Sequence, residues 1–213
     1  MMRAGSRRAV IVASAVMVAA LAISGIGPYD RMTWWLEVAP VIIVLPILWL
    51  TKERFPLTTL LYALIAVHAV ILCAGGHWTY ARVPLGDWLQ HALDLARNPY
   101  DRIGHLAQGF VPAIAAREIL SRTSPLRGSR WLPVLVVTTC LAISATYELI
   151  EWLTAVLAGG GAVEFLGTQG DPWDAQWDMF CALLGALAAV VLLSGPHDRA
   201  MERLGVGTLA RRL

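Results

Sequence analysis

The chain has 213 residues, of which 57% are hydrophobic and only 15% charged, and a formal net charge of +2. A soluble domain of this size carries about 25% charged residues, so this composition excludes an ordinary soluble globular protein. The small positive balance gives no basis for nucleic-acid binding, and the basic residues lie beside apolar runs, which is a topology signal.

Six apolar segments follow one another, at about 9–26, 34–50, 57–74, 101–120, 131–157 and 175–194. They lack the alternation of barrel strands and suit helices that cross a hydrocarbon core of about 30 Å. The predicted fold is therefore all-α: a polytopic transmembrane bundle of about six spans, with residues 1–213 forming a single membrane domain. Arg3, Arg7 and Arg8 precede the first span. Lys52 and Arg54 separate spans two and three, Arg122, Arg127 and Arg130 separate spans four and five, and Arg199, Arg203, Arg211 and Arg212 follow span six. All four groups fall on one side, which predicts that both termini are cytoplasmic. Arg7-Arg8 before an apolar run ending in Ala20-Leu21-Ala22 also fits a cleaved signal peptide, which would leave five spans in the same orientation. Trp34, Trp35, Trp78, Trp88, Trp152, Trp173 and Trp177 gather at the opposite, extracytoplasmic boundary. There Leu85–Arg97 reads as a short amphipathic helix, either on the membrane surface or across the mouth of the bundle.

Cys73, Cys140 and Cys181 all sit in apolar runs without a Cys-x-x-Cys pair and read as packing residues. His68 and Ser144 read the same way. Glu37 and Asp30 read as solvated boundary groups, His197 as part of a basic tail, and Gly159–Gly161 as a flexible loop able to hinge over the mouth.

Two segments share one pattern. Asn98-Pro99-Tyr100-Asp101 and Asp171-Pro172-Trp173-Asp174 both read as a cap, a proline at the first helical position and a carboxylate that reaches back to the cap. His105 and Asp178 lie seven residues past those caps, about 10 Å down the helix, where capping does not account for them. On span five, Glu148 and Glu151 share a face at an overlapping depth. Asp101, His105, Glu148, Glu151, Asp174 and Asp178 thus converge at the outer ends of spans four to six. His77 and Tyr80 reach the same mouth, Gln108 extends the His105 face, and Arg102 is the natural countercharge. Ionisable groups at such depth need partners or a polar cavity.

Three readings of this cluster follow. One is a metal site using all six acidic and histidine side chains, for zinc, manganese or calcium, although no compact zinc or di-iron motif is present. Another is a metal-free acid/base site on His105, Glu148, Glu151 and Asp178. The third is a packing network without chemistry. No serine or cysteine nucleophile motif accompanies it.

His77-Trp-Thr-Tyr80, Arg97-Asn-Pro-Tyr-Asp-Arg-Ile-Gly-His105, Arg117-Glu118, Tyr147-Glu-Leu-Ile-Glu-Trp152 and Leu166-Gly-Thr-Gln-Gly-Asp171 through Met179 resemble the YjdF-like family of predicted bacterial inner-membrane proteins, over residues 60–195. That resemblance implies a multi-pass inner-membrane protein and carries no activity with it. Asp101-Arg-x-x-His105, Glu148-x-x-Glu151 and Asp174-x-x-x-Asp178 are more distantly similar to VanZ-like membrane proteins of glycopeptide resistance, which would imply work on the cell envelope. The expected function is a membrane-embedded enzyme acting on a lipid or envelope precursor, with His105, Glu148, Glu151 and Asp178 reactive and Arg102, His77, Tyr80 and Gln108 binding substrate, Arg102 at an anionic headgroup. The alternatives are an ion- or proton-coupled transporter and a non-catalytic binding or assembly protein. The absence of polar groups towards the cytoplasmic side speaks against the transporter.

Overall fold

A computed structural model describes residues 4–158 and 163–206. Arg3, Gly159–Gly161, Arg211 and Arg212, on which expectations above rest, lie outside them. The described residues are helical with short turns and no strand. The helices are α1 (Ala4–Ser24), α2 (Arg31–Thr51), α3 (Thr59–Trp78), α4 (Pro84–Ala92), α5 (Tyr100–Thr123), α6 (Trp131–Ala158), α7 (Val163–Leu166) and α8 (Asp174–Leu204). Within hydrocarbon a helix satisfies its own backbone donors and acceptors, which is why the apolar runs fold this way.

Among the described residues five helices, α1, α2, α3, α6 and α8, are long and apolar enough to cross a membrane. The expected fourth span, α5, falls short on composition because it carries Asp101, Arg102, His105, Arg117, Glu118 and Arg122. At 24 residues it is about 36 Å long, still enough to cross. It lies between α3, α6 and α8, which shield its polar face from lipid.

Two apolar cores share α3. One joins α1, α2 and α3 through Met17, Val38 and Tyr62. The other joins α3, α5, α6 and α8 through Leu61, Ile114, Val136 and Ala186. The closest helix pair is α5 against α8. A Cβ on Gly109 would run into the Ala182 carbonyl, and one on Gly185 into the Leu106 carbonyl. Small residues let two membrane helices approach to backbone contact.

The Ser6 hydroxyl donates to the Leu57 carbonyl (2.8 Å), Thr58 donates to Glu118 on α5, and Glu118 meets His197 on α8. The start of α1 and the last turns of α5 and α8 therefore share one end of the bundle. Helix α8 does not stop near Ser194. It continues through Pro196 to Leu204, so His197 is a fully buried helical residue and not part of a solvated tail. At about 46 Å, α8 is longer than the hydrocarbon core is thick, so its last turns lie outside it.

At the opposite end, His77 Nδ1 pairs with the Ser24 carbonyl (2.9 Å) and the His77 carbonyl accepts from Tyr29 N–H (2.9 Å). Trp34 is buried, its indole N–H donating to Ser24 (3.0 Å), whereas Trp35, Trp88, Trp152, Trp173 and Trp177 are exposed as a boundary belt requires. Helix α4 is shorter than the expected Leu85–Arg97. Leu85 and Trp88 stay exposed, while Gly86 packs on Asn98 so closely that a Cβ would collide with its side chain.

Candidate functional site

The turn after α3 aims one side chain into the bundle. Thr79 and Tyr80 both have positive φ, 58° and 47°, a conformation that costs on the order of 1–3 kcal/mol per non-glycine residue. It carries the Tyr80 ring between α3 and α5, where a Cβ at Gly75 or Gly104 would overlap it. Burial, and then the nearby Glu37 carboxylate, hold the Tyr80 phenol well above its ordinary pKa, so it stays a neutral donor.

Asn98 and Asp171, expected as caps with a proline at the first helical position, lie further out: the cap positions of α5 and α8 are Pro99 and Trp173, neither makes a side-chain cap bond, and Asp101 and Asp174 do not reach back. Asn98 Oδ1 accepts from Tyr100 N–H (3.0 Å), and Asp171 Oδ1 accepts from Trp173 N–H (2.9 Å). The helices begin just after, at Tyr100 and Asp174. Asp101 and Asp174 turn to arginines instead, because a charged fork binds a carboxylate more strongly than a backbone N–H does. Arg97 pairs with Asp174 and donates to Asp101 (3.1 Å) and to the carbonyls of Gly167 (3.2 Å) and Thr168 (3.1 Å). Arg102 pairs with Asp178, and donates to Asp171 (3.1 Å) and Asp174 (3.0 Å). These two arginines sew the loop before α8 onto the start of α5.

His105 stands at the centre, nine-tenths buried. Its Nε2 lies 3.5 Å from Asp101 Oδ1 and 3.8 Å from Asp178 Oδ2. Its Nδ1 lies 2.9 Å from Gln108 Oε1 and 3.9 Å from Glu148 Oε1. That Glu148 oxygen is buried and has no hydrogen-bond partner among the described residues. Two sets of side chains bring ligand atoms within 4.8 Å of one another: Asp101, His105 and Asp178, and His105, Glu148 and Glu151. Both share His105. One imidazole between two carboxylate groups has the donor chemistry of zinc or manganese sites, and equally of an oriented acid/base.

Of the six side chains expected to converge, five are in these two sets. Asp174 is the exception, committed to Arg97 and Arg102. Gln108 and Tyr80 take their expected places, whereas His77 serves the α1–α3 clip described above. Arg102 is enclosed by three carboxylates. Sequence reasoning missed two members. Arg97 was legible only as part of a motif, and Glu37, read as a solvated boundary group, is buried at 5% exposure. The Tyr147 hydroxyl donates to Glu37 across the bundle (3.2 Å), and the Tyr80 hydroxyl reaches the same carboxyl.

A second polar network occupies the other end of α5, contrary to the expectation that polar groups gather at one end only. Glu118, fully buried, accepts from the Thr58 hydroxyl (2.7 Å) and Arg122 (2.7 Å) and meets His197 Nε2 (3.0 Å). Arg117 holds His197 Nδ1 (2.9 Å) and Asp198 (2.9 Å).

The comparisons with known proteins agree with this picture of a membrane protein. A family model described as "Predicted membrane protein (DUF2238)" matches residues 9–199. The chain is 55% identical over 185 residues to the inner membrane protein YjdF of Escherichia coli (strain K12), covering 87% of this chain and 88% of that one. No solved structure matches.

Proposed function

The chain belongs to the DUF2238 family of membrane proteins, and on that footing we propose that this multi-pass inner-membrane protein is a membrane-embedded enzyme whose His105-centred cluster acts on a lipid or envelope substrate at the extracytoplasmic boundary. The observation that carries the reading is the surplus of acid around one buried histidine. His105 has Asp101, Asp178 and Glu148 within 3.9 Å; Arg97 pairs with Asp101 and Arg102 with Asp178, whereas Glu148 has no arginine partner among the described residues and leaves an oxygen unpaired. A network built only for packing would pair its charges, as the Glu118 network does. Crowded carboxylates stay charged only beside a cation, and otherwise retain protons.

A divalent metal held by His105 with Asp101 and Asp178, or with Glu148 and Glu151, would polarise a substrate oxygen or activate water. Without one, His105 and Glu148 form a base and acid pair. Arg97 and Arg102 position Asp101, Asp174 and Asp178 in either case.

The test is metal content of detergent-purified wild type, His105→Ala and Glu148→Gln after incubation with zinc, manganese or calcium. We expect near-stoichiometric metal in the wild type and its loss in His105→Ala, with folded yield preserved. A well-folded wild type without metal and without turnover of extracted envelope lipids would sink the enzyme reading, and turnover unchanged in both variants would take the reaction away from His105 and Glu148. A proton- or ion-coupled transporter is the second reading. It is favoured by buried ionisable groups at both ends of α5, with His68 Nε2 lacking a hydrogen-bond partner among the described residues. Proton flux in proteoliposomes tests it.

A further inference from the structure

A long slot runs away from the site. It encloses about 500 Å³, inside the range of about 300–1,000 Å³ typical of small-molecule pockets. Helix α2 forms one wall, α5 and α6 the other, and α3 the floor. Its site end is lined by Glu37, Tyr80, Asp101, His105, Tyr147 and Glu151. Beyond them the walls turn apolar, through Val44, Leu72, Val111, Ala115 and Ile119. The Tyr147–Glu37 hydrogen bond ties α2 to α6 across the slot at the polar end.

Three features define what fits. The first is shape: from His105 to Ile119 the slot follows 14 residues of α5, about 21 Å of helix. One leaflet of hydrocarbon is about 15 Å deep, half of a core of about 30 Å, so the slot takes a chain longer than a leaflet. The second is polarity: the carboxylates gather at one end and the body is for the most part apolar, although His68 and Gln108 line it, the pattern of an amphiphile with its head at His105. The third is charge. The polar end presents Glu37, Asp101 and Glu151 with His105, and among the described residues neither an arginine nor a lysine lines the slot. Such a lining accepts hydrogen bonds and repels anions.

We propose that the slot binds one long hydrocarbon chain of a lipid whose head is a polyol, and that this lipid is the substrate of the His105 site. The proposal rests on the enzyme reading for the word substrate and on the slot alone for binding. The head lies against the carboxylates and the Tyr80 and Tyr147 hydroxyls, within reach of His105. The chain lies between α2 and α5, so slot depth sets the preferred chain length. An anionic headgroup at Arg102, expected from the sequence, does not fit, since that guanidinium is enclosed by carboxylates and does not line the slot.

The test uses detergent-purified full-length protein and a radiolabelled monoacylglycerol series of short, medium and long chains. A long-chain phosphatidic acid serves as the anionic control and a two-chain phosphatidylcholine as the bulk-lipid control. We expect tightest binding for the long-chain monoacylglycerol, with both controls at least about tenfold weaker. Ala115→Trp, halfway down the slot, should lose long-chain binding about tenfold while keeping short-chain binding and metal content. Ile119→Phe, near the far end, should move the preference to shorter chains and serves where the tryptophan variant fails to fold. Equal binding of all chain lengths to the wild type, or equal binding of either control, overturns the proposal. The two readings fail separately. His105→Ala that loses metal and still binds long-chain lipid supports both, whereas a wild type without metal or turnover that binds the lipid keeps the slot and sinks the enzyme.

Discussion

At the scale of single residues, the two polar networks of α5 differ in how completely they are paired, and that difference predicts how they respond to substitution. Glu118 accepts from Thr58, Arg122 and His197 in a site of zero exposure. Removing it leaves two basic groups and a hydroxyl without their acceptor. Breaking a buried pair in this way costs about 3–5 kcal/mol. Glu118→Ala should therefore sharply lower the thermal midpoint of the detergent-solubilised protein, and Glu118→Gln, which keeps an acceptor, should lower it less. Equal midpoints for wild type and Glu118→Ala would show that the network contributes nothing. Arg97 makes a different prediction, because its fork bridges Asp174, Asp101 and two loop carbonyls at once. A lysine keeps the charge and loses the fork. Arg97→Lys should loosen the loop before α8, seen as faster protease cleavage near Gly170, and an unchanged cleavage rate would argue that charge alone suffices. Both residues mark the limit of sequence reading. His105 and Asp178 stood out because each lies seven residues past the first residue of a matching Asn-Pro or Asp-Pro pair. Arg97, Glu37, Glu118 and His197 meet partners 60 to 110 positions away or on the far side of the bundle, and no local pattern encodes that.

At the scale of elements, the site depends on how closely α5 and α8 approach. Gly109 faces the Ala182 carbonyl and Gly185 faces Leu106, so the two helices touch backbone to backbone one turn below His105. A valine at either position forces them apart, and the cluster joins Asp101 and His105 of α5 to Asp178 of α8 across that contact. Gly109→Val and Gly185→Val should each reduce metal retention and folded yield together, unlike His105→Ala, which should reduce metal alone. Retained metal in a folded Gly109→Val protein would show that the helix spacing is not what assembles the ligands. The helices themselves were legible, since long apolar runs have few alternatives in a bilayer. Their ends were less so. Pro196 and its charged neighbours read as the end of a span, yet α8 continues to Leu204 because His197 and Arg117 bury that last stretch. The fourth span was expected at 101–120 and α5 occupies it despite its charges, which are tolerable only inside the bundle, where α8 and two arginines satisfy them.

At the scale of the whole molecule, orientation decides which face of the membrane the site meets. The described start of α1 and the end of α8 share the end opposite the site, as the Ser6–Leu57 and Glu118–His197 contacts require. Arg7, Arg8, Lys52, Arg54, Arg127 and Arg130 belong to that end as well. At the site end, the arginines are already engaged: Arg31 donates to the Gly25 carbonyl (2.8 Å), Arg82 stacks over Tyr29, and Arg97 and Arg102 are held by carboxylates. The basic residues left to set orientation therefore lie almost wholly on one face, and the positive-inside rule predicts that this face is the cytoplasmic one. In a background with Cys73, Cys140 and Cys181 replaced by serine or alanine, a membrane-impermeant maleimide tests this directly. Trp173→Cys, in the exposed turn before α8, should label in intact cells. Glu53→Cys, in the exposed turn after α2, should label only after permeabilisation. The reverse pattern would place the His105 cluster and the polar mouth of the slot at the cytoplasmic leaflet, and the substrate would then have to be a lipid on the inner side of the membrane.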